Sequence, residues 1–339
     1  MKKIRIEDAV GTVLAHDITR IVPGKFKGVG FIKGHIVKKE DIPKLLELGK
    51  QFLYVLDLKE GEVHEDDAAI RIARAISGKN LDWTQPKEGK SNIVAHTKGL
   101  LKINVEGLLK INRLGDIIIS TLKTNFSCEK ETTVAATRII PLTIDEDRIQ
   151  DFERIAVKYN PILQVLPYRK MHVGIIITGS EIYNGLIQDE SDHYVAAKIK
   201  HYGSEVVKKI YVLDDATKIS QAIRELKDIG CDLIITTGGL SVDPDDVTRL
   251  GVKASGAEVI SYGSPILPGA MFLYALFEST PVIGLPACVY YYPTTVYDIF
   301  LPRILAGEVI SRDDIAELGH GGLCMNCKTC HYPVCPFGK

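Results

Sequence analysis

Charge of one sign is the first thing this sequence lacks. Its 42 lysines and arginines stand against 43 aspartates and glutamates, leaving a net charge of −1. That balance excludes a chain whose main work is coating nucleic acid, which needs a basic face. Long apolar runs are missing too. The nearest approach, "PILPGAMFLYALFESTPVIGLPACVYYY" at Pro265–Tyr292, is interrupted by four prolines and by Glu278. It falls short of the roughly 18–20 unbroken apolar residues a span requires, so it reads as buried core and no membrane partner is expected. The opening "MKKIRIEDAVGTVLAHD" has no apolar core of an export signal, so a cytoplasmic location is expected. With 45% hydrophobic and 25% charged residues, the chain is neither disordered nor fibrous. Its 339 residues suffice for two or three domains with proper cores.

Cysteine is sparse over most of the chain and crowded at its end. Cys128, Cys231 and Cys288 are scattered, as buried thiols are. Cys324, Cys327, Cys330 and Cys335 fall in "GHGGLCMNCKTCHYPVCPFGK", with spacing C-x2-C-x2-C-x4-C-P. Without an export signal, such a cluster points to metal before disulfides. Four thiolates can enclose tetrahedral Zn²⁺ or hold an iron–sulfur cluster, and both stay open. The spacing is similar to bacterial ferredoxin ligation except for a longer last gap. The preceding glycines predict a flexible joint, with the tail as a separate knuckle or a segment that swings towards the site.

Hydrophobic periodicity divides the rest. Residues 1–60 carry short strands with glycine turns, "VPGKFKGVGFIKGHIV", then an amphipathic helix, "KEDIPKLLELGK". Residues 61–165 predict an α+β region. It holds a helix ("EDDAAIRIARAIS"), a polar connector ("GKNLDWTQPKEGKSN", with the single tryptophan, Trp83) and strands "LLKINVEGLLKIN", "DIIISTL" and "TVAATRIIPLTI". Nothing in it forms a catalytic constellation, and His96, Lys98 and Cys128 read as ordinary surface or core. Over 168–310 the rhythm becomes strand–helix alternation: "HVGIIIT", "SDHYVAAKIKHYG", "EVVKKIYVL", "DATKISQAIRELKDIG", "DLIITT". Short apolar strands alternating with helices predict an α/β domain, a doubly wound and mostly parallel sheet covered on both faces. The fold class is therefore α/β, with smaller β-rich and α+β regions before the sheet and a Cys-rich tail at 319–339 after it.

In such sheets ligands bind beyond the carboxyl ends of the strands. The unusual loops fall there: "TGSEIYNG", "TTGGLSVDPDD", "ILPGA" and "GLPAC". Gly238 and Gly239 let backbone amides approach a ligand. A helix starting near Asp246 would add partial positive charge for an anion. Thr178, Ser180, Thr237 and Ser241 supply hydroxyls for phosphate oxygens or a heterocycle. Asp189, Asp243, Asp245 and Asp246 are poor direct partners for phosphate. A shared Mg²⁺ is the simplest way to place carboxylates and phosphate together.

At these residues the segment from Met171 to Gly307 resembles the molybdopterin-binding domain of molybdopterin adenylyltransferases and molybdotransferases. "ITGSEI" looks like the Thr-Gly-Asp-Glu-Leu loop of the molybdotransferases, with Thr178, Gly179 and Glu181 matching and Ser180 in place of Asp. "GLIQDESD" is similar to Gly-x-x-x-Asp-x-Ser-Gly, where Asp189 and Ser191 match and Asp192 departs. The most specific match is "TTGGLSVDPDDVT" to Thr-Gly-Gly-x-x-x-x-Pro-x-Asp-Val-Thr, through Gly238, Gly239, Pro244, Asp246, Val247 and Thr248. Pro268 and Gly269, then Gly284, Leu285 and Pro286, look like the Pro-Gly-Lys-Pro and Gly-Leu-Pro-Gly-Asn-Pro motifs. Ala270, Met271, Ala287, Cys288 and Val289 replace the rest, setting the chain apart from the standard metal-insertion pattern. "EDAVGTVLAHDIT" and "FIKGHIVKKEDIPKLLELG" in 1–60 resemble early molybdotransferase segments.

The resemblance implies binding of molybdopterin or its adenylylated form, with Mg²⁺ and the reacting phosphate organised by Asp189 and Asp246 as catalytic residues. It implies a cofactor-biosynthesis protein of transferase type that assembles as a homo-oligomer. Two alternatives stand beside it. One is a non-catalytic carrier that docks a client molybdoenzyme through the tail. The other is a nucleotide pyrophosphatase, because the competence-and-damage-inducible family has a similar Gly-Gly-Leu-Gly loop with paired aspartates.

Overall fold

The structure, a computed structural model, describes residues 2–55, 58–241 and 247–339. The chain divides into two compact units. The first holds residues 1–97, 101–122 and 128–165, and the second 98–100, 123–127 and 166–339.

In the first unit, Ile18–Val22 and Phe26–Phe31 form an antiparallel hairpin, and Lys2–Arg5 pairs with Phe52–Val55. Ile6, Leu14, Ile18, Leu45 and Leu53 make a small core beneath them. Leu81–Trp83, Lys90–Ala95, Thr133–Ile139 and Ile117–Thr121 build a four-stranded antiparallel sheet. Two sequence expectations fail in this unit. The polar connector contains one of those strands, Leu81–Trp83, and the start of another, Lys90–Ala95, whose Ile93 and Ala95 turn inward with Leu81. "LLKINVEGLLKIN" is a strand only to Ile103. Asn104 accepts a bond from the Gly107 amide at 2.9 Å and caps a helix over Val105–Asn112. The cap overrides the apolar run.

In the second unit we label strands β1 (His172–Thr178), β2 (Glu205–Val212), β3 (Leu233–Thr237), β4 (Glu258–Tyr262), β5 (Leu273–Phe277) and β6 (Thr280–Leu285). The helices are α1 (Ala197–His201), α2 (Ala216–Asp228), α3 (Thr248–Ala254), α4 (Val296–Leu305) and α5 (Arg312–Glu317). Sheet order is β2-β1-β3-β6-β5-β4. The β1–β2, β1–β3 and β3–β6 pairs are parallel, while β5 and β4 continue antiparallel. The continuous apolar runs split by strand periodicity. Val173, Ile175 and Ile177 enter one core with α4 and α5, whereas Ile176 enters the other with Ile219, Ile223 and Leu226 of α2. Both faces are thus covered, as a doubly wound sheet requires. Asp215 caps α2 by accepting from the Thr217 and Lys218 amides. Among the described residues no helix is long and apolar enough to cross a membrane. Within Pro265–Tyr292, Phe272, Leu273, Tyr274 and Ile283 are fully buried, whereas Leu267 and Tyr291 are exposed.

Candidate functional site

The carboxyl ends of β1 and β3 bring the threonine and glycine residues together. Thr178, the last residue of β1, is buried and its Oγ1 donates to the Thr237 carbonyl at 3.2 Å. Directly after β3, Gly238 and Gly239 take φ values of +87° and +58°. A Cβ on Gly238 would stand 2.5 Å from the Thr178 carbonyl oxygen, and one on Gly239 2.6 Å from Thr248 Oγ1. The turn therefore needs glycine for conformation and for space alike. Thr248, fully buried, donates its Oγ1 to the Gly238 carbonyl at 2.9 Å and its amide to Gly239 at 3.1 Å. Gly179 (φ +135°) opens the neighbouring loop, and Ser180 donates its amide to Asp214 Oδ2 at 3.1 Å. Ser180, Glu181 and Ser241 are exposed.

A second cluster forms around Asp189. The Ser191 amide donates to Oδ1 at 2.8 Å. Oδ2 receives the Ser191 hydroxyl at 2.9 Å, the Tyr211 hydroxyl at 2.9 Å and Lys209 Nζ at 3.0 Å. Lys209 also meets Asp192 at 2.9 Å. Burial pushes the Asp189 pKa up, but these donors outweigh it and hold the carboxyl below its ordinary value. Burial likewise works against the charged Lys209, and its two carboxylates overcome that and raise it. Tyr290 links the clusters. Its hydroxyl is hydrogen-bonded with Thr237 and feels the charges of Asp189 and Lys209, while burial raises its pKa.

These partners bear on the expected Mg²⁺. Both oxygens of Asp189 are occupied by donors, one of them an ammonium, so its carboxylate does not offer a free cation ligand. Among the described residues no three His, Cys, Asp or Glu side chains stand close enough to hold one ion. Asp243, Pro244, Asp245 and Asp246 lie outside the described residues, so the Mg²⁺ reading rests on them. The expected helix N-terminus also weakens. The helix α3 starts at Thr248, has no side-chain cap and spans seven residues, too few to build a strong macrodipole.

Pro286 stands on the same rim, since Leu285, the last residue of β6, pairs with Thr237 at the end of β3. Pro268, Gly269 and Pro286 line a cavity of about 360 Å³ with Met271, Cys288 and Tyr292. Gly269 has φ +134°, and a Cβ there would meet Val296 Cβ at 2.5 Å. Gly284 sits inside β6, where a Cβ would stand 2.8 Å from Leu240 Cδ1 and 2.9 Å from Leu273 Cβ, so tight packing accounts for it.

The tail is not a detached knuckle. Leu267 and Cys324 exchange backbone bonds with the chain opposite, Leu267 N to Gly322 O and Cys324 N to Leu267 O, both at 2.8 Å. Phe337 is buried in the core shared by α4, and Tyr332 donates to the Asp298 carbonyl at 3.1 Å. Apolar anchoring at Phe337 overrides the glycine joint expected from sequence. All four tail cysteines line one cavity of about 250 Å³.

Lys209, Tyr211, Asp214 and Tyr290 are not among the residues that the sequence motifs single out. Lys209 and Tyr211 alternate along β2 on the Asp189 side, a period-2 signal that could have found them. Asp214 follows β2 at the same strand-end position as the other loops. Tyr290 opens the "YYY" run after "GLPAC", which reads as core by composition.

Residues 174–306 match the family described as "Probable molybdopterin binding domain", and residues 3–57 match a domain of unknown function, DUF8806. The chain is 42% identical over 79 residues to a "Putative competence-damage inducible protein" of Desulforudis audaxviator, covering 23% of this chain and 19% of that one. It is 38% identical over 81 residues to a "CinA-like protein" of Petrotoga mobilis, covering 24% and 20%. The chain thus spans about a fifth of the length of these curated relatives. Among solved structures it is similar to the molybdopterin biosynthesis enzyme MoaB of Thermus thermophilus, with 20% identity, a TM-score of 0.34, and coverage of 41% of this chain and 98% of that one. Residues 174–306, less than half of the chain, thus carry the match to a probable molybdopterin binding domain.

Proposed function

We propose that this chain binds molybdopterin or its adenylylated form in molybdenum-cofactor biosynthesis. The phosphate would lie against the bare backbone of Gly238 and Gly239 beyond β1 and β3. The observation that carries the reading is the meeting of Thr178, Gly238, Gly239 and Thr248 at the carboxyl ends of two parallel strands, with no room for a Cβ. Amides in such a turn accept an anion where side chains would block it. Lys209, buried beside Tyr211 and Ser191, supplies positive charge balanced by Asp189, so this aspartate acts by orienting the lysine and hydroxyls. Ser180, Glu181, Ser241 and Ser191 complete the polar rim of the same reading. Pro268, Gly269 and Pro286 line the neighbouring cavity as a wall for the pterin. Asp246 keeps its proposed catalytic role together with Mg²⁺.

Transfer chemistry is the first form of this function, in a cytoplasmic homo-oligomer, and carriage to a client molybdoenzyme is the second. The tail adds a metal site, zinc or an iron–sulfur cluster. A pyrophosphatase reading is favoured by one observation, the identity with the competence-damage relative.

Calorimetric titration of the full chain with molybdopterin and with its adenylylated form tests the core claim. Micromolar binding weakened in Lys209→Met and in Asp246→Ala is expected. Absence of binding to the unaltered chain ends the proposal. Hydrolysis of a dinucleotide pyrophosphate with a divalent metal would replace it by the pyrophosphatase reading.

A further inference from the structure

The tail thiols carry more information in space than in spacing. Cys324, Cys327, Cys330 and Cys335 stand around one cavity of about 250 Å³, each contributing to its wall. A single Zn²⁺ draws thiolates to about 2.3 Å from one point, hence to within about 4 Å of one another. The four thiols line a common cavity, yet no three of them are grouped as one ion requires. An iron–sulfur cluster takes its thiolates at the outer corners of a body of several atoms, so it wants a ring of sulfurs around a space.

The surroundings agree. Tyr291, Tyr292, Tyr332 and Phe337 give the cavity an apolar shell, and Thr294 Oγ1 lies 3.2 Å from Cys330 Sγ. Such a hydrogen bond is one means by which a protein tunes a cluster. The scaffold is fixed on both sides of the ligands. Before them, Gly322, Leu323 and Cys324 bridge to Leu267. After them, Phe337 is buried and Gly338 donates to the Gly321 carbonyl at 2.9 Å. Cys327 and Cys330 are exposed, which leaves a path for assembly from outside.

We propose that the tail binds one polynuclear iron–sulfur cluster through Cys324, Cys327, Cys330 and Cys335, in the cavity beneath Tyr291–Thr294. This site needs no pterin. It borders the Pro268–Gly269–Pro286 cavity, with Tyr292, Leu323, Cys324 and Asn326 common to both walls.

The experiment is anaerobic reconstitution of the full chain with ferrous iron and sulfide, followed by iron and sulfide analysis and visible spectroscopy. The expected result is several irons per chain, matched by acid-labile sulfide, and a broad charge-transfer absorption. Cys327→Ser and Cys330→Ser should each lose most of the iron while keeping the far-UV spectrum of the unaltered chain. Cys288→Ser, in the neighbouring cavity but outside the tail, should keep it. A colourless protein holding one zinc and no sulfide overturns the proposal, as does full iron content in a Cys327→Ser/Cys330→Ser double variant. Neither readout depends on pterin binding, so failure of the pterin reading leaves a distinct record.

Discussion

Two buried cations of the α/β unit each lie between two carboxylates, yet they have different neighbours. Arg303 of α4 donates Nε to Glu308 at 2.7 Å and Nη2 to Asp314, with its side chain 7% exposed. Lys209 of β2, 16% exposed, reaches Asp189 at 3.0 Å and Asp192 at 2.9 Å. The partners of Arg303 are themselves structural: Asp314 also closes the capping box of α5 with Ser311. A planar guanidinium locks such a join between helix ends. Lys209 carries a point charge whose partner Asp189 also gathers Ser191 and Tyr211, and its charge bears on Tyr290. Burial and pairing are common to both, so neither marks a site. Reach towards the open strand ends does.

The comparison breaks first on stability. Arg303→Met leaves two carboxylates facing each other with their cation removed, and unfolding free energy should fall by about 3 kcal/mol. Urea denaturation measures it. Pterin affinity of the folded variant should be unchanged. A parallel loss of affinity would mean that both networks serve the site.

Gly238→Ala comes next, because it attacks the rim itself. The φ of +87° and the 2.5 Å approach to the Thr178 carbonyl oxygen leave no relaxed position for a methyl group. A stability cost of about 2 kcal/mol is expected, with affinity reduced about tenfold or more. Unaltered affinity would place the ligand elsewhere.

That ranking also separates what the sequence discloses from what it hides. The wound sheet is legible because strands buried on both faces are apolar throughout, as in "HVGIIIT" and "DLIITT". The turn at Gly238 and Gly239 is legible because a glycine pair directly after an apolar strand marks the strand's end, in line with the other polar loops of the domain. Lys209 and Tyr290 are hidden, since an alternating lysine on a strand and a tyrosine in an apolar run look like surface and core. The helix over Val105–Asn112 is hidden for another reason. One asparagine cap decides between helix and strand where the apolar pattern fits either. The docking of the tail rests on Phe337, a single aromatic that only the three-dimensional core makes decisive.

Lys209→Met sharpens the comparison from the other side. Its stability cost should be smaller than that of Arg303→Met, because Asp192 is 80% exposed and returns to water. Its effect on phosphate binding should be larger, about tenfold, read by the same titration. A variant that unfolds readily but binds normally would assign Lys209 to scaffolding.

The smallest expected effect is acid sensitivity, and its sign follows from the two carboxylates. Burial alone would raise Asp314, yet Ser311 and Arg303 hold its pKa down at about 2 against an ordinary 3.8. A depressed pKa in the folded chain means that its stabilising contribution is complete above 3.8 and disappears as pH falls towards 2. Asp189 is shifted in the same direction, so its contribution is also lost on the acid side of 3.8. Thermal unfolding followed from neutral pH into acid should therefore steepen below that value. Asp314→Asn should remove part of the slope without touching ligand affinity, whereas Asp189→Asn should flatten the slope and weaken binding together. Equal behaviour of the two variants would erase the distinction between a join and a site, because protonation would then be breaking the same kind of contact in both places.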